Sequence, residues 1–138
     1  MVIVWRRRDR RARQLLASAT NHRGADLHSA RLVAMDLRHK DLRVANLEYA
    51  DLTEADLRGT QLAGANLHGA YLTGAQLDGA DLRDARLDDA YLLMTDFGTA
   101  RLDGATFTGA IWDQGTTWPA GFTPPRADVG LWHGRKDS

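Results

Sequence analysis

Histidines and paired carboxylates are the side chains in this sequence whose types could support catalysis or bind a metal ion. The five histidines are His22, His28, His39, His68 and His133, and one acidic pair is Asp88-Asp89. Adjacent carboxylates can act as general acid and base, and imidazoles can bind zinc. No HExxH, GxSxG or phosphate-binding glycine motif accompanies these residues. We therefore predict no enzymatic activity, no metal and no cofactor.

The composition narrows the class of protein further. The 138 residues include 18 basic and 18 acidic side chains and no cysteine, which excludes disulfides, thiolate zinc sites and cysteine nucleophiles. No apolar run reaches the roughly 18 residues that a membrane-spanning helix needs. The apolar opening of the chain is too short for a secretory signal. These features predict one domain that stays in the cytoplasm.

A five-residue repeat fills the middle of the chain. Leu or Phe occupies every fifth position from residue 27 to residue 107, seventeen positions in all, and Trp112 holds the next place. The residue two places earlier is Ala at thirteen of the seventeen, and the others are Met35, Lys40, Thr60 and Thr95. The predicted core residues are Leu27, Leu32, Leu37, Leu42, Leu47, Leu52, Leu57, Leu62, Leu67, Leu72, Leu77, Leu82, Leu87, Leu92, Phe97, Leu102 and Phe107.

A period of five fits neither a regular helix nor a flat strand. On a helix, each step of five residues rotates the side chain by roughly 140°, and on a strand it reverses the face. All the leucines can point inward only if the chain itself turns once per repeat. The pattern therefore predicts an all-β solenoid, in which the chain coils around its own side chains. Gly often follows the Leu by two residues, where it suits a tight turn.

The Ala-(Asp/Asn)-Leu-x-x pattern from Ala25 to about Gln114 resembles the pentapeptide-repeat family. The resemblance implies a right-handed quadrilateral β-helix with four repeats per coil. Residues twenty apart would then share a column, so we expect Tyr71 and Tyr91 to be neighbours on one wall. His28 and His68 would lie two coils, about 10 Å, apart, which is too far for one metal ion.

Charge and composition divide the chain into three parts. Residues 1–23 carry seven Arg and one Asp, a net charge of +6, and form a basic arm. Residues 24–114 carry eight basic and fifteen acidic groups, a net charge of −7, and form the repeat solenoid. Residues 115–138 carry three basic and two acidic groups, a net charge of +1, and include all three prolines. We expect this last part to hold a cap and a loose tail, the latter at 126–138.

The first part is expected to cap the solenoid, because an open end exposes the interior. Residues 6–19 are good helix formers and predict a short capping helix. Its apolar side would contain Ala12, Leu15, Leu16 and Ala19. Lys40 takes an inward position near this end, where its stem would be buried and its amine free.

The opposite end is predicted to close with an irregular aromatic and proline-rich cap. Residues 117–124 resemble a closing segment found in many bacterial pentapeptide-repeat proteins, which also suggests a bacterial host. Trp118 and Phe122 could cover the last leucine layer. Alternatively, these residues and Trp112 could form the contact of a homodimer.

The acidic solenoid raises the hypothesis of a non-catalytic interaction module or scaffold that binds a protein through its outer wall. The resemblance implies a possible DNA mimic, because some family members bind topoisomerases such as DNA gyrase; no direct nucleic-acid binding is expected. Interspersed basic groups, including Arg83 and Arg86, weaken such a field. The alternative is that the acidic residues only keep the solenoid in solution. The candidate partner-binding residues are Asp36, Asp41, Asp51, Asp56, Asp78, Asp81, Asp84, Asp88 and Asp89.

Two other functions stay open from the sequence. The run Val2-Ile3-Val4-Trp5 followed by an Arg cluster resembles the end of a membrane span and could make weak peripheral contact with anionic lipid. A scaffold at a membrane surface is therefore one alternative, and a plain capping helix with solvated Arg residues is its competitor. A self-associating structural protein is the other, through the aromatic C-terminal end.

Overall fold

The computed structural model describes residues 7–126. It contains the helix α1 (Arg7–Ser18), followed by a stack of coils. Parallel backbone bridges join residues twenty apart along this stack, for example Tyr71 to Tyr91, and they are isolated pairs rather than long strands. The described part of the chain is therefore a β-solenoid with four five-residue faces per coil.

Faces and coils are named by the central residue of each repeat. Face 1 contains Leu27, face 2 Leu32, face 3 Leu37 and face 4 Leu42, and each face recurs twenty residues later. Coil 1 is residues 25–44. The next three coils follow at twenty-residue intervals, and coil 5 begins at residue 105.

Each repeat contains a tight turn. The backbone N–H three residues after the centre donates to the carbonyl of the centre, as from Ala50 to Leu47 at 3.0 Å. The residue before that donor has a positive φ, which is +58° at Tyr49, except in the repeat of Phe97, where the positive φ of +44° is at Gly98. A positive φ is what the third residue of a type II turn requires. The next centre, Leu52, then donates its N–H to the carbonyl of Tyr71 in the following coil at 2.8 Å. The chain thus changes direction once every five residues.

The interior is built from the central residues of the repeats. All seventeen central Leu and Phe side chains are at most 8% exposed, and burial of each such side chain contributes roughly 1.5–3 kcal/mol. Two of the residues that replace Ala are also fully buried. Thr60 and Thr95 donate their hydroxyls to the carbonyls of Leu37 and Leu72, both at 2.7 Å. These departures from Ala are therefore hydrogen-bonded core positions.

Helix α1 lies over coil 1 through Asp9, Arg13 and Leu16. Asp9 and Leu16 are fully buried. Asp9 Oδ1 accepts the backbone N–H of Arg31 at 3.1 Å, and Arg13 Nη1 donates to the carbonyls of Arg31 and Val33 at 3.4 and 3.3 Å. In later coils, the equivalent backbone groups pair with the preceding coil. Two polar side chains of α1 thus take the place of a coil that is not there.

Two predictions for this end are wrong: the apolar side of the helix and the free amine of Lys40. Leu15 is 51% exposed, and Ala19 is exposed just after α1 ends. The rotation of the helix follows the backbone hydrogen bonds of Asp9 and Arg13, which place Leu16 inward and Leu15 outward. The amine of Lys40 is not free either, since Nζ donates to the carbonyl of Ala19 at 2.6 Å.

A one-residue insertion marks the C-terminal end of the stack. The last bridge joins Asp96 to Thr117, a spacing of 21 residues instead of 20. Trp118 therefore follows Phe97 in the column of face 3, and the two rings stack with centroids 4.8 Å apart. The aromatic residue predicted to cover the coils thus lies on the column itself.

The remaining aromatic residues of this end also contact their own chain. Phe122 packs against Phe107 with centroids 5.9 Å apart, and Trp112 donates its indole N–H to the carbonyl of Pro125 at 3.1 Å. Of the tail expected to be loose, only Arg126 lies among the described residues.

Glycines at the corners of coil 3 leave room for side chains of coil 2. A Cβ atom at Gly69 would overlap the ring of Tyr49, whereas one at Gly79 would meet nothing closer than a backbone nitrogen at 3.9 Å. The φ values are similar, +66° and +74°. Tyr49 also makes an edge contact with His68, with centroids 5.4 Å apart, which restricts its ring. Conformation therefore favours glycine at both positions, although Tyr49 itself adopts a positive φ, and only at Gly69 is space also limiting.

Asp9→Ala is expected to lower the free energy of unfolding by roughly 1–3 kcal/mol, because the N–H of Arg31 would lose its acceptor. Asp9→Asn keeps an acceptor oxygen and should lose less. Urea unfolding followed by circular dichroism measures both. Arg11→Ala, at an exposed position on the same helix, is the matched control. An Arg11→Ala loss as large as that of Asp9→Ala would contradict the role given to Asp9.

Gly69→Ala is expected to destabilise the chain more than Gly79→Ala does. Gly79→Ala carries only the cost of a left-handed residue with a Cβ atom, about 1–2 kcal/mol. Gly69→Ala must also displace Tyr49. The comparison is made by thermal and urea unfolding of the two variants. Equal losses would show that the ring of Tyr49 moves aside without cost.

Candidate interaction surface

The candidate acid–base and metal-binding residues do not assemble into a catalytic centre in the described residues. His28 Nδ1 lies 2.8 Å from Asp26 Oδ1, and His68 Nε2 lies 3.8 Å from Asp89 Oδ2. No group of three potential metal ligands occurs within residues 7–126. His133 lies outside those residues. The histidines of these two pairs belong to the outer surface of face 1.

Four Asp-Leu-Arg sequences form the same ion pair within the wall. In each, the backbone N–H and Nε of Arg donate to one carboxylate oxygen, and Nη2 donates to the other. The side-chain distances are 2.6–2.9 Å, which is the strong bidentate form of this interaction. The recurring tripeptide is the sequence signal for these pairs. They are Asp36–Arg38, Asp41–Arg43, Asp56–Arg58 and Asp81–Arg83.

The Arg partners hold these carboxyl groups in the charged form. Hydrogen bonds from the Arg43 side chain lower the pKa of Asp41 to about 2. The corresponding hydrogen bonds from Arg side chains keep the pKa values of Asp36, Asp56 and Asp81 below their ordinary range. Each carboxylate is therefore ionised and at the same time neutralised by its neighbour.

The nine predicted partner-binding carboxylates do not form one surface. Beyond the four Asp-Leu-Arg pairs, Asp88 Oδ2 accepts from Arg86 Nε at 3.1 Å, and Asp51 Oδ1 accepts from the Thr53 hydroxyl at 2.6 Å. Most of the nine are thus directed at neighbouring residues of the wall. By face, they are Asp88 and Asp89 on face 1, Asp51 on face 2, Asp36, Asp56 and Asp78 on face 3, and Asp41, Asp81 and Asp84 on face 4.

Face 2 has a different surface in coils 3 to 5. The rings of Tyr71 and Tyr91 stack in their predicted column, with centroids 4.8 Å and planes 3° apart. Tyr71 is 43% exposed and Met94 is 64% exposed. The column was predicted from the sequence, whereas the exposed apolar area around it was not. We call Tyr71, Tyr91, Leu93, Met94 and Ile111 the face 2 patch.

The charged residues around the face 2 patch are all acidic. Asp51 and Glu54 precede it in coil 2, Asp89 lies at the corner with face 1, and Asp113 lies in coil 5. From coil 2 onward, face 2 and its corners contain no Lys or Arg, whereas each other face carries at least one Arg. An uncharged patch with an acidic rim suits a partner segment that combines apolar and basic side chains.

The basic residues of α1 border a groove against coil 1. This groove has a volume of about 710 Å³, and its lining includes Arg7, Arg8, Arg11 and Leu27. The apolar run predicted to touch lipid, Val2–Trp5, lies outside the described residues. Within residues 7–126, no helix has the length and apolar character to cross a bilayer.

Comparison with known proteins identifies the family. The chain matches the family of pentapeptide repeats in eight copies, over residues 25–62, 50–89, 60–104 and 80–113. These matches cover more than half of the sequence, and the chain therefore belongs to the pentapeptide-repeat family, as its repeat predicted. Proteins of this family are generally structural or interaction modules.

Solved structures of pentapeptide-repeat proteins are similar to this chain. The protein alr5209 from Nostoc PCC 7120 is 32% identical, with 83% of this chain and 85% of that chain covered and a TM-score of 0.37. Rfr23 from the cyanobacterium Cyanothece 51142 is 24% identical, with 71% and 87% covered and a TM-score of 0.40. QnrB1, a plasmid-mediated fluoroquinolone resistance protein, is 17% identical, with 68% of each chain covered and a TM-score of 0.30. No curated protein matches the sequence.

Acid is expected to weaken the solenoid through its Asp-Leu-Arg pairs. The pKa of Asp41 is about 2 in the folded chain and near 3.9 in an unfolded one. Its stabilising contribution is therefore present above about pH 4 and is lost as the pH falls towards 2. Arg43→Gln should raise the pKa of Asp41 and reduce the loss of stability over this range.

The measurement is the free energy of unfolding at several values between pH 5 and pH 2, together with an NMR titration of the Asp41 carboxyl. Arg126→Gln, at an exposed position beyond the last coil, is the control and should leave the profile unchanged. An unaltered profile in Arg43→Gln would contradict the assignment.

Proposed function

We propose that this chain is a non-catalytic interaction module that binds a protein partner through its outer wall. The observation that supports this function is the face 2 patch. It exposes aromatic and aliphatic side chains next to one another, whereas five carboxylates on the other faces are paired with Arg side chains of the same wall. Contiguous exposed apolar residues with a polar rim are typical of protein-binding surfaces.

The proposal includes finer features of the fold and its setting. The coils wind in a right-handed sense, residues 1–23 and 115–138 act as end segments around the 24–114 solenoid, and the protein works in a bacterial cytoplasm. The burial of Leu16 and the stacking of Trp118 on Phe97 support the capping roles of the two ends.

The distribution of charge on the wall argues against a topoisomerase partner bound by DNA mimicry. A mimic of the duplex needs regularly spaced charges that face outward, like phosphates. Here the carboxylates lie on four faces, and the Asp-Leu-Arg pairs neutralise four of the nine candidates. The distribution of charge favours a partner that meets face 2.

The contacts of the aromatic C-terminal end argue against self-association through this end. Trp112, Trp118 and Phe122 contact one another and the coils of their own chain. Their apolar surface is therefore already used within the chain, which favours a cap over a dimer contact.

The Tyr71→Ser, Tyr91→Ser double variant is expected to lose partners that the wild-type chain captures, by roughly tenfold or more, because exposed aromatic residues dominate such interfaces. The matched control is Gln76→Ser with Asp96→Ser, which changes exposed residues at the same repeat position on face 3. The measurement is quantitative mass spectrometry after cross-linking in a lysate of the source organism. Partners retained equally by both variants would contradict binding through face 2.

A purified DNA gyrase supercoiling assay, with and without a fluoroquinolone, separates this function from DNA mimicry. We expect no effect at a large excess of the chain. Inhibition or protection that Asp84→Lys with Asp89→Lys abolishes, and that the tyrosine variant retains, would assign the function to the carboxylates instead.

A further inference from the structure

We propose that the groove between α1 and coil 1 binds an extended segment of a partner protein, which occupies the place of a missing quarter of a coil. The groove lies at the N-terminal end of the stack and shares no lining residue with the face 2 patch. It is therefore a second interaction site, beyond the proposed function. The proposal is carried by open backbone groups, by an apolar floor and by a basic rim.

Face 1 of coil 1 has an open backbone edge. In coil 2, the same face makes three hydrogen bonds to the coil before it: Asn46 donates its N–H at 2.9 Å, and the carbonyls of Asn46 and Glu48 accept at 2.7 and 2.8 Å. The corresponding groups of coil 1 are the N–H and carbonyl of Asp26 and the carbonyl of His28. None of the three has a hydrogen-bond partner within residues 7–126. Unpaired edge groups of this kind are a template for another extended chain.

Two other edges of coil 1 are closed by the chain itself. On face 2, Asp9 and Arg13 bind the equivalent backbone groups. On face 4, residues 20–24 bind them through their own backbone. Face 3 is open as well, but no leucine lines the groove beside it. Face 1 is therefore the open edge that also offers contact with leucine side chains.

The groove beside face 1 has an apolar floor. It is lined by Leu27 and Ala30 of coil 1 and by Ala12 and Leu15 of α1. Leu27 and Ala30 are almost fully buried, whereas Leu15 is 51% exposed. An inward-pointing apolar side chain of the partner segment would lie over Leu27, as the central residues of successive coils lie over one another. It would also remove the exposed side of Leu15 from water.

The rim of the groove is basic. Arg7, Arg8 and Arg11 line it, and Asp26 is the one acidic residue among the described lining, which gives three positive charges against one negative. The carboxylate of Asp26 is in addition occupied by His28, whose Nδ1 lies 2.8 Å from Oδ1. The charge that complements this rim is that of Asp or Glu side chains on the partner.

Length and chemistry together define the partner segment. The groove follows α1 from Arg7 to Ser18, which is roughly 17 Å by the rise of an α-helix. Five residues in extended conformation span roughly 16 Å. The segment is thus one repeat long, pairs its backbone with Asp26 and His28, and has a central apolar residue with acidic neighbours. Recognition of this kind is the addition of a strand to an open edge.

A synthetic peptide tests the site on the full-length chain. The probe is acetyl-Glu-Ala-Glu-Leu-Glu-Gly-Glu-amide, which keeps the spacing of Ala, Leu and Gly in the repeat. We expect hydrogen exchange of the Asp26 N–H, measured by NMR, to slow by roughly tenfold or more at saturating peptide, because this group gains an acceptor. The N–H of Asp36, on the open edge of face 3, is the matched control and should not change. Protection of Asp36 in place of Asp26, or no binding at millimolar peptide, would overturn the proposal.

Two altered peptides separate pairing along the edge from simple attraction of charge. A methyl group on the leucine nitrogen removes the N–H that would donate to the carbonyl of Asp26, and Ser in place of that leucine removes the apolar contact. Each change should weaken binding by roughly tenfold or more, as measured by titration calorimetry. Equal affinity of the three peptides would show that charge alone attracts them and would overturn the proposal.

Variants of the chain distinguish this site from the face 2 patch. Leu15→Glu changes an exposed side chain of the groove and should abolish peptide binding by repulsion and loss of apolar contact. Met94→Glu makes the same kind of change on the face 2 patch, at a side chain that is 64% exposed, and should leave peptide binding intact. Loss of binding in both variants, or in neither, would overturn the proposal. Partner capture that needs Tyr71 and Tyr91 would survive either result, so the two sites can fail separately.

The same exchange measurement identifies any other occupant of the edge. Removal of residues 1–6 should leave the exchange rate of the Asp26 N–H unchanged in the chain without peptide, as should dilution. Faster exchange after the removal would assign the edge to the chain's own N-terminus. Faster exchange on dilution would assign it to a second copy. Either result would overturn the assignment to a partner protein.

Discussion

Every coil of this solenoid depends on backbone hydrogen bonds to the coil before it and the coil after it. In coil 2, Asn46 donates its N–H to the carbonyl of Ala25, and Leu47 donates to the carbonyl of Asn66. A buried peptide group without a partner is costly, so the first coil requires a substitute. Asp9 and Arg13 supply it from a helix, a different kind of element. At this end, Leu16 covers the apolar interior, and the polar side chains of Asp9 and Arg13 bind the backbone peptide groups.

On the wall, several carboxylates are neutralised by an Arg side chain two residues away in the sequence. An Asp before the central Leu and an Arg after it lie on the same side of the chain, and their side chains hydrogen-bond directly to each other. Each such pair occupies its own repeat and leaves little field to act at a distance. The net charge of the 24–114 segment is consequently a poor guide to what its surface presents. From coil 2 onward, face 2 differs from the other faces in its lack of basic residues and in its stacked tyrosine rings.

The columns could be predicted from the sequence because every repeat has the same backbone. The period of five predicted the burial of Leu52, and the four repeats per coil that the family resemblance implies predicted that Tyr71 and Tyr91 are neighbours. The exposure of Leu15 was not predicted, because the rotation of α1 is set by two polar contacts to the first coil and not by its apolar residues. The candidate surface was the least predictable feature. The exposed charge of a face depends on which of its carboxylates lie next to an Arg. Predicting those contacts requires the coil geometry as well as the spacing along the chain.

The ladder of bridges at intervals of twenty has a consequence for how such a chain can change in length. Duplicating or deleting a block of twenty residues would return every later residue to its own face and leave both ends intact. A block of five would instead rotate all later residues by one face, which would dismantle the tyrosine column while preserving the leucine interior. The solenoid can therefore be lengthened by whole coils without changing its surface. An insertion of five residues would instead change which side chains share a face and leave the leucine core intact.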